Sequence, residues 1–196
     1  MSRERQHSSL IPKPTPPQEE GPFYPTTLPP EQDNDLVRIG EGQQAAGTVT
    51  YISGHVLDPS GRPLAEAVVE IWQCDHQGLY FHPRHVDRRD PTFQGYGTTV
   101  TSKDGFYQFR TIRPVSYANR APHIHFKVRG TAFDELTTQM YVEGEPHNAQ
   151  DFVLNSITDP TERVRLIVPL QPAPQREPAA LAGHFDLVLG YETQKV

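Results

Sequence analysis

Two histidines separated by a single residue, His123 and His125, stand in the stretch Arg120-Ala121-Pro122-His123-Ile124-His125-Phe126-Lys127-Val128. A strand has a side-chain period of two. Both imidazoles therefore leave one face, close enough to share a metal ion, while Ile124, Phe126 and Val128 leave the other toward a core. Pro122 suits the start of such a strand, where its missing N–H costs no ladder bond. Taken alone, His-x-His is ordinary, and its plain reading is a pair of hydrogen-bonded, half-buried side chains. Imidazole also does not choose its metal, because zinc, copper, iron and nickel all accept it.

The remaining donors decide. A cupin would place a Glu a few residues after the second His, where Lys127, Val128, Arg129 and Gly130 stand. A zinc hydrolase would add a third His or a carboxylate, for which Glu143 and Glu145 are the nearest candidates. The distinctive neighbours are tyrosines: Tyr117 shortly before His123, and Tyr80 in a long loop from Asp75 to Tyr96. A phenolate is a hard anionic oxygen donor, and a trivalent ion such as ferric iron lowers its pKa enough to ionise it at neutral pH.

The elements that must position these groups read as short strands. Val49 to Leu57 alternates, Asp58-Pro59-Ser60-Gly61-Arg62-Pro63 turns, and Ala67 to Gln73 is rich in Val, Ile and Trp. Ser102-Lys103-Asp104-Gly105 marks a hairpin between Gly97–Thr101 and Phe106–Arg110. Leu136 to Val142 follows the His-x-His strand, Asn148 to Ile157 suits a turn or two of helix, and His184 to Leu189 closes the chain as a strand. The expected fold is all-β, an antiparallel β-sandwich over residues 46–196 with long functional loops. Residues 1–45, with eight prolines from Pro12 to Pro30, form an extended proline-rich arm. Within it, Phe23 and Tyr24 between Pro22 and Pro25 make a stiff plug for a pocket or an interface. Trp72 reads as core, and His76, His82, His85 and His147 as solvated loop residues.

Composition narrows the function classes. The 196 residues suffice for one domain with a sizeable core, and 20 Pro with 14 Gly favour many strands joined by turns. A net charge of −6 without basic runs argues against nucleic acid or an anionic membrane as partner and leaves a small molecule. The single cysteine, Cys74, excludes an internal disulfide, fits a reducing compartment and reads as a packed thiol. The polar start Met1-Ser2-Arg3-Glu4-Arg5 precedes no apolar stretch, so the expected address is cytoplasmic.

An ordered set of motifs goes further. Gly54-His55-Val56-Leu57-Asp58, Val69-Glu70-Ile71-Trp72-Gln73, Gly78-Leu79-Tyr80, Thr101 to Tyr107, Tyr117, Arg120 to Phe126 and Gln139-Met140-Tyr141 together resemble the intradiol ring-cleavage dioxygenases. The likeness runs from about Gly54 to Val142, with an echo at His184 to Gly190. It implies a non-haem Fe(III) held by Tyr80, Tyr117, His123 and His125. Tyr117 resembles the axial tyrosine that leaves the metal when substrate chelates, Arg120 the arginine over the substrate ring, and Gln139 a glutamine behind the ligands. The implied reaction takes a catecholic substrate and O2, opens the ring between its hydroxyl-bearing carbons and yields a cis,cis-muconate-type diacid. The segment between Tyr117 and His123 is shorter than in the well-known enzymes, and the chain resembles one protocatechuate-type subunit. Retention of all four ligands favours a self-sufficient homo-oligomer over a non-catalytic sandwich subunit, and a zinc or copper β-sandwich enzyme is the remaining alternative.

Overall fold

The protein is described by a computed structural model covering residues 12–131 and 133–191. Residues 1–11, including the polar start of the chain, lie outside the described residues. Among the described residues the structure is mostly β: two five-stranded sheets, a single four-residue α-helix at Pro160–Arg163, and a few 3-10 turns. Among the described residues no helix is long and apolar enough to cross a membrane.

The first sheet is built on β1 (Val49–Leu57), which pairs antiparallel with β4 (Phe106–Ile112). β9 (Leu181–His184) and β10 (Leu187–Val188) run parallel to β1 one after the other, and β8 (Gln171–Pro172) extends β9. The second sheet has the order β3 (Tyr96–Val100), β2 (Val68–Trp72), β5 (His123–Arg129), β6 (Leu136–Val142) and β7 (Ile167–Val168). Three pairs, β1·β9, β1·β10 and β6·β7, are parallel. The expectation of purely antiparallel sheets is thereby corrected, because these strands return after connections long enough to reverse direction, which a tight hairpin cannot do.

The Asp104-Gly105 turn forms as expected, with Gly105 N–H donating to Ser102 O at 2.9 Å. Its flanking strands, however, do not make a two-stranded ladder with each other. β3 pairs with β2 and β4 with β1, so the turn carries the chain from one sheet to the other. The closing strand is also divided, at Phe185-Asp186, into β9 and β10. In place of the helix expected over 148–157 there are two 3-10 turns, Pro146–Ala149 and Leu154–Ser156.

One apolar cluster takes side chains from both sheets: Ile52, Val56, Tyr107 and Phe109 from the first, and Val69, Ile71, Ile124, Phe126 and Met140 from the second. Each large side chain buried there contributes on the order of 1.5–3 kcal/mol. A smaller cluster of Trp72, Cys74, Tyr80 and Tyr96, with Phe23, Tyr24 and Tyr117 against it, lies on the histidine face. Residues 12–48 contain neither helix nor strand. They are tied down by Thr15 N–H to Val188 O (2.9 Å), Gln18 N–H to Thr137 O (2.8 Å) and Leu36 N–H to Arg110 O (2.8 Å). That segment covers the face of β5 opposite the core, and six of the seven β5 residues are buried.

Candidate functional site

Pairing register assembles the site. In the second sheet, Trp72 on β2 stands opposite His125 on β5, which stands opposite Gln139 on β6; His123 faces Tyr141. Directly opposed residues share a sheet face, so a row Trp72–His125–Gln139 crosses three strands. Trp72 stacks flat on the His125 ring, with centroids 4.6 Å apart and planes 7° apart. It is buried as expected, and it is also a wall of the site.

The tyrosines arrive from loops. Gly78 adopts a φ of +83°, and a Cβ there would lie 2.8 Å from the Tyr117 Cβ. The Gly78-Leu79-Tyr80 loop thus depends on glycine to pass so close to Tyr117. Tyr117 itself opens a tight turn: Arg120 N–H donates to Tyr117 O at 2.9 Å, and Ala118 takes a left-handed φ of +46°. A non-glycine residue in that region stores roughly 1–3 kcal/mol, a cost typical of functional sites.

These supports bring together all four side chains expected to hold a metal. Tyr80 Oη lies 3.2 Å from Tyr117 Oη and 3.3 Å from His123 Nε2; Tyr117 Oη is 3.5 Å from His123 Nε2, which is 3.2 Å from His125 Nε2. The His123 Nδ1–H donates to Ala121 O at 2.6 Å, leaving the Nε2 lone pair facing the cluster. The donor set fits a cation. Atoms each about 2.0–2.1 Å from one ion at near-tetrahedral angles stand about 3.3 Å apart. In the protein alone, burial pushes the Tyr80 phenol well above its usual range and raises that of Tyr117, while burial lowers His123 to about 4 and His125 well below the usual imidazole range. Two neutral imidazoles are the ligand form, and a bound cation would supply the charge that lets buried phenols ionise.

The carboxylates that a zinc site would have needed are elsewhere. Glu143 is exposed and Glu145 pairs with Arg113. His76 and His147 are exposed as expected, but His85 is not simply solvated: its Nδ1 accepts the Tyr80 N–H at 3.0 Å, fixing the loop that carries the phenol. Burial pushes the Cys74 thiol up to about 12, consistent with a packed, inert cysteine.

Arg120 and Gln139 belong to one network. Arg120 Nη2 donates to Gln139 Oε1 (2.5 Å) and to Tyr141 Oη (3.2 Å), and its Nε donates to Asp151 Oδ2 (2.8 Å). Asp151, fully buried, also accepts the N–H groups of Ala121, Val153 and Leu154. Sequence reasoning missed it. The available signal was an Asp two residues before a turn, where the side chain accepts a backbone N–H further on. Gln18, another missed residue, reaches in from the segment before β1 to accept from Tyr141 Oη at 3.0 Å. Glu19 O accepts from Gln139 Nε2 at 3.0 Å.

Phe23 stacks on Tyr80 at 4.8 Å and closes one side. Tyr24 donates to the buried Glu70 carboxylate at 2.7 Å under the Lys127 ammonium. A cavity of about 270 Å³ opens beside the four donors, lined by Glu19, Phe23, Tyr117, Arg120, His125 and Phe152 among others. Arg84 and Arg88 are exposed, Arg89 lies over the Phe81 ring at 4.3 Å, and none of the three lines this cavity.

Comparison with known proteins gives a consistent answer. A family model described as "Dioxygenase" matches residues 19–190. A protocatechuate 3,4-dioxygenase beta chain from Burkholderia cepacia is 36% identical over 168 residues, covering 80% of this chain and 71% of its own. Catechol 1,2-dioxygenase 2 of Acinetobacter lwoffii is 31% identical over 68% of this chain and 53% of its own length, so the chain spans about half of that relative. Among solved structures, the dioxygenase domain of a carbohydrate-binding fusion from Streptomyces sp. SirexAA-E superposes with a TM-score of 0.71 at 29% identity, covering 92% of this chain and 100% of that one. Catechol 1,2-dioxygenase from Acinetobacter sp. ADP1 gives 0.73 at 27% identity, over 93% and 64%.

Proposed function

The chain belongs to the intradiol ring-cleavage dioxygenase family, and from that premise we propose that it opens a catecholic ring with O2 between the two hydroxyl-bearing carbons, giving a cis,cis-muconate-type diacid. Tyr80, Tyr117, His123 and His125 would hold a non-haem Fe(III). The observation carrying this reading is the meeting of two phenol oxygens and two imidazole nitrogens at 3.2–3.5 Å, with Tyr117 and His125 of the four lining a cavity. When bound, ferric iron supplies the electron-accepting centre that makes a closed-shell catechol reactive toward triplet O2.

The remaining roles follow from this chain's own groups. Tyr117 lies at the cavity edge, and its phenolate oxygen is placed to take a proton from an incoming catechol hydroxyl. Tyr80, buried and roofed by Phe23, stays as a fixed donor. Arg120, held by Asp151 and Gln139, presents a preorganised cation to negative charge developing on the ring, an effect of roughly 3–4 kcal/mol by analogy with oxyanion donors. Gln139 orients Arg120 and ties it to the segment before Phe23.

A protocatechuate-type substrate is supported by the likeness to a protocatechuate 3,4-dioxygenase beta chain. One observation favours a second reading, an uncharged catechol. Arg120, the cation of the cavity wall, is already committed to the Asp151 carboxylate. We take the chain as an N-terminal arm, residues 1–45, and a β-sandwich catalytic domain, residues 46–196, the domain being covered by the described part of the arm from residue 12 on, in a cytoplasmic homo-oligomer that needs no unlike subunit.

The test is the visible spectrum of the purified protein. A ferric-phenolate band, red-brown in colour, is expected, altered in Tyr80→Phe and in Tyr117→Phe. A colourless protein, or an iron-bearing one whose band neither change affects, would refute the ligand assignment. Oxygen uptake on catechol, hydroxyquinol and protocatechuate then decides between the two substrate readings.

A further inference from the structure

The first sheet carries a second imidazole pair. β9 pairs with β1 in the register Ser53↔His184, and β10 resumes at Val56↔Leu187. The two-residue corner Phe185-Asp186 must therefore pass beside Gly54 and His55. Glycine allows this approach, since a Cβ at Gly54 would fall 2.0 Å from the Phe185 carbonyl oxygen. The corner is pinned on both sides: Phe185 N–H donates to Ser53 O at 2.9 Å, and the Tyr107 hydroxyl donates to Phe185 O.

The carboxylate of Asp186 turns back toward β1. Its Oδ1 accepts the His55 N–H at 2.7 Å and stands 2.9 Å from His184 Nε2 and 3.5 Å from His55 Nδ1. The His55 ring is steadied edge-on by Phe106, with centroids 5.6 Å apart. Nearest donor atoms of the three residues all lie within 4.8 Å of one another. Ligands of one ion with metal–nitrogen bonds of about 2.0–2.1 Å lie at most about 4.2 Å apart, so closure takes only a small rotation of exposed imidazoles.

We propose that His55, His184 and Asp186 form a surface site for a borderline divalent transition cation such as Zn²⁺, Ni²⁺ or Cu²⁺, independent of the tyrosine–histidine centre. Two nitrogens and one carboxylate suit these ions, and solvent completes the coordination because His184 is 59% exposed. The electrostatics favour a cation. Asp186 places a carboxylate in the cluster, and Asp104, on the turn before β4, is near enough to interact with His55. All three ligands sit on or between paired strands, so little order is lost on binding.

The test titrates iron-replete, otherwise metal-free protein with Zn²⁺ by calorimetry and with Cu²⁺ by electron paramagnetic resonance. The wild type should take up one equivalent, with nitrogen hyperfine structure from two imidazoles. His55→Gln/His184→Gln should lose that equivalent at unchanged thermal stability, while the exposed-histidine control His147→Gln keeps it. Equal uptake by wild type and the double variant, or none by the wild type, overturns the proposal. If the protein purifies without iron, the comparison still decides: one equivalent must depend on His55 and His184 and another on His123 and His125.

Discussion

The molecule holds two histidine pairs on β-strands, and they differ in what surrounds them. His123 and His125 share one strand, are buried, and lie against two phenols. His55 and His184 come from two parallel strands, face solvent, and share an aspartate. In the first setting burial strips the imidazoles of protons and leaves the hard oxygen donors unable to ionise unless a strong cation joins them. In the second, solvent and Asp186 satisfy the rings with or without a metal. The same residue type is thus committed to one chemistry by a dry, oxygen-rich pocket and left open by a wet one.

Removing a buried ligand should break this contrast most severely. His125→Ala is expected to lose bound iron and ring cleavage, with metal affinity falling by more than about 100-fold, since even partners behind a ligand are worth that much. His55→Gln should leave iron content unchanged; metal analysis of the two purified variants checks both. Asp151→Asn comes next. It leaves the largely buried Arg120 without its counter-charge and should cost about 3–5 kcal/mol in urea unfolding. Burial works to raise the Asp151 pKa, but the Leu154 and Ala121 N–H groups and Arg120 outweigh it and hold the carboxyl below its usual value. Its contribution is therefore complete above about pH 4 and disappears as pH falls through the lowered value, which an acid unfolding series reads directly.

Phe23→Ala should have a smaller effect, about 1 kcal/mol for the lost stack on Tyr80. Its sharper signature is a change in substrate affinity with the metal retained, seen by substrate titration of the visible band. His184→Gln without added divalent metal should shift stability by no more than about 1 kcal/mol, as for other exposed ion pairs. A larger loss on thermal unfolding would mean that the exposed pair is structural and that the contrast with the buried pair is misdrawn.

How much of this was legible in the sequence follows the same divide. β5 and β6 could be read because Ile124, Phe126 and Val128 alternate with the histidines, and Leu136 to Val142 joins the strand formers Thr137, Thr138, Tyr141 and Val142 to Leu136 and Met140. The four converging donors were named from motif likeness, and their convergence depends on features that periodicity does not carry: a left-handed Ala118, a close pass at Gly78, and a cross-strand register. Asp151 escaped because its partner Arg120 is distant in sequence and its own stretch looked helical. Strand allocation escaped for a related reason. The Asp104-Gly105 signal specifies a turn, but which neighbours β3 and β4 pair with depends on which edges the rest of the chain leaves free. The burial of the histidine face was hidden as well, because the covering segment, tied down near Gln18 and Glu19, has no periodic signature of its own.

The central claim is most directly tested by diffraction from crystals of the ferric protein at wavelengths on either side of the iron edge. The account predicts one anomalous peak within bonding distance of Tyr80 Oη, Tyr117 Oη, His123 Nε2 and His125 Nε2. A peak bound by neither phenol, or iron found only beside His55 and His184, would contradict it.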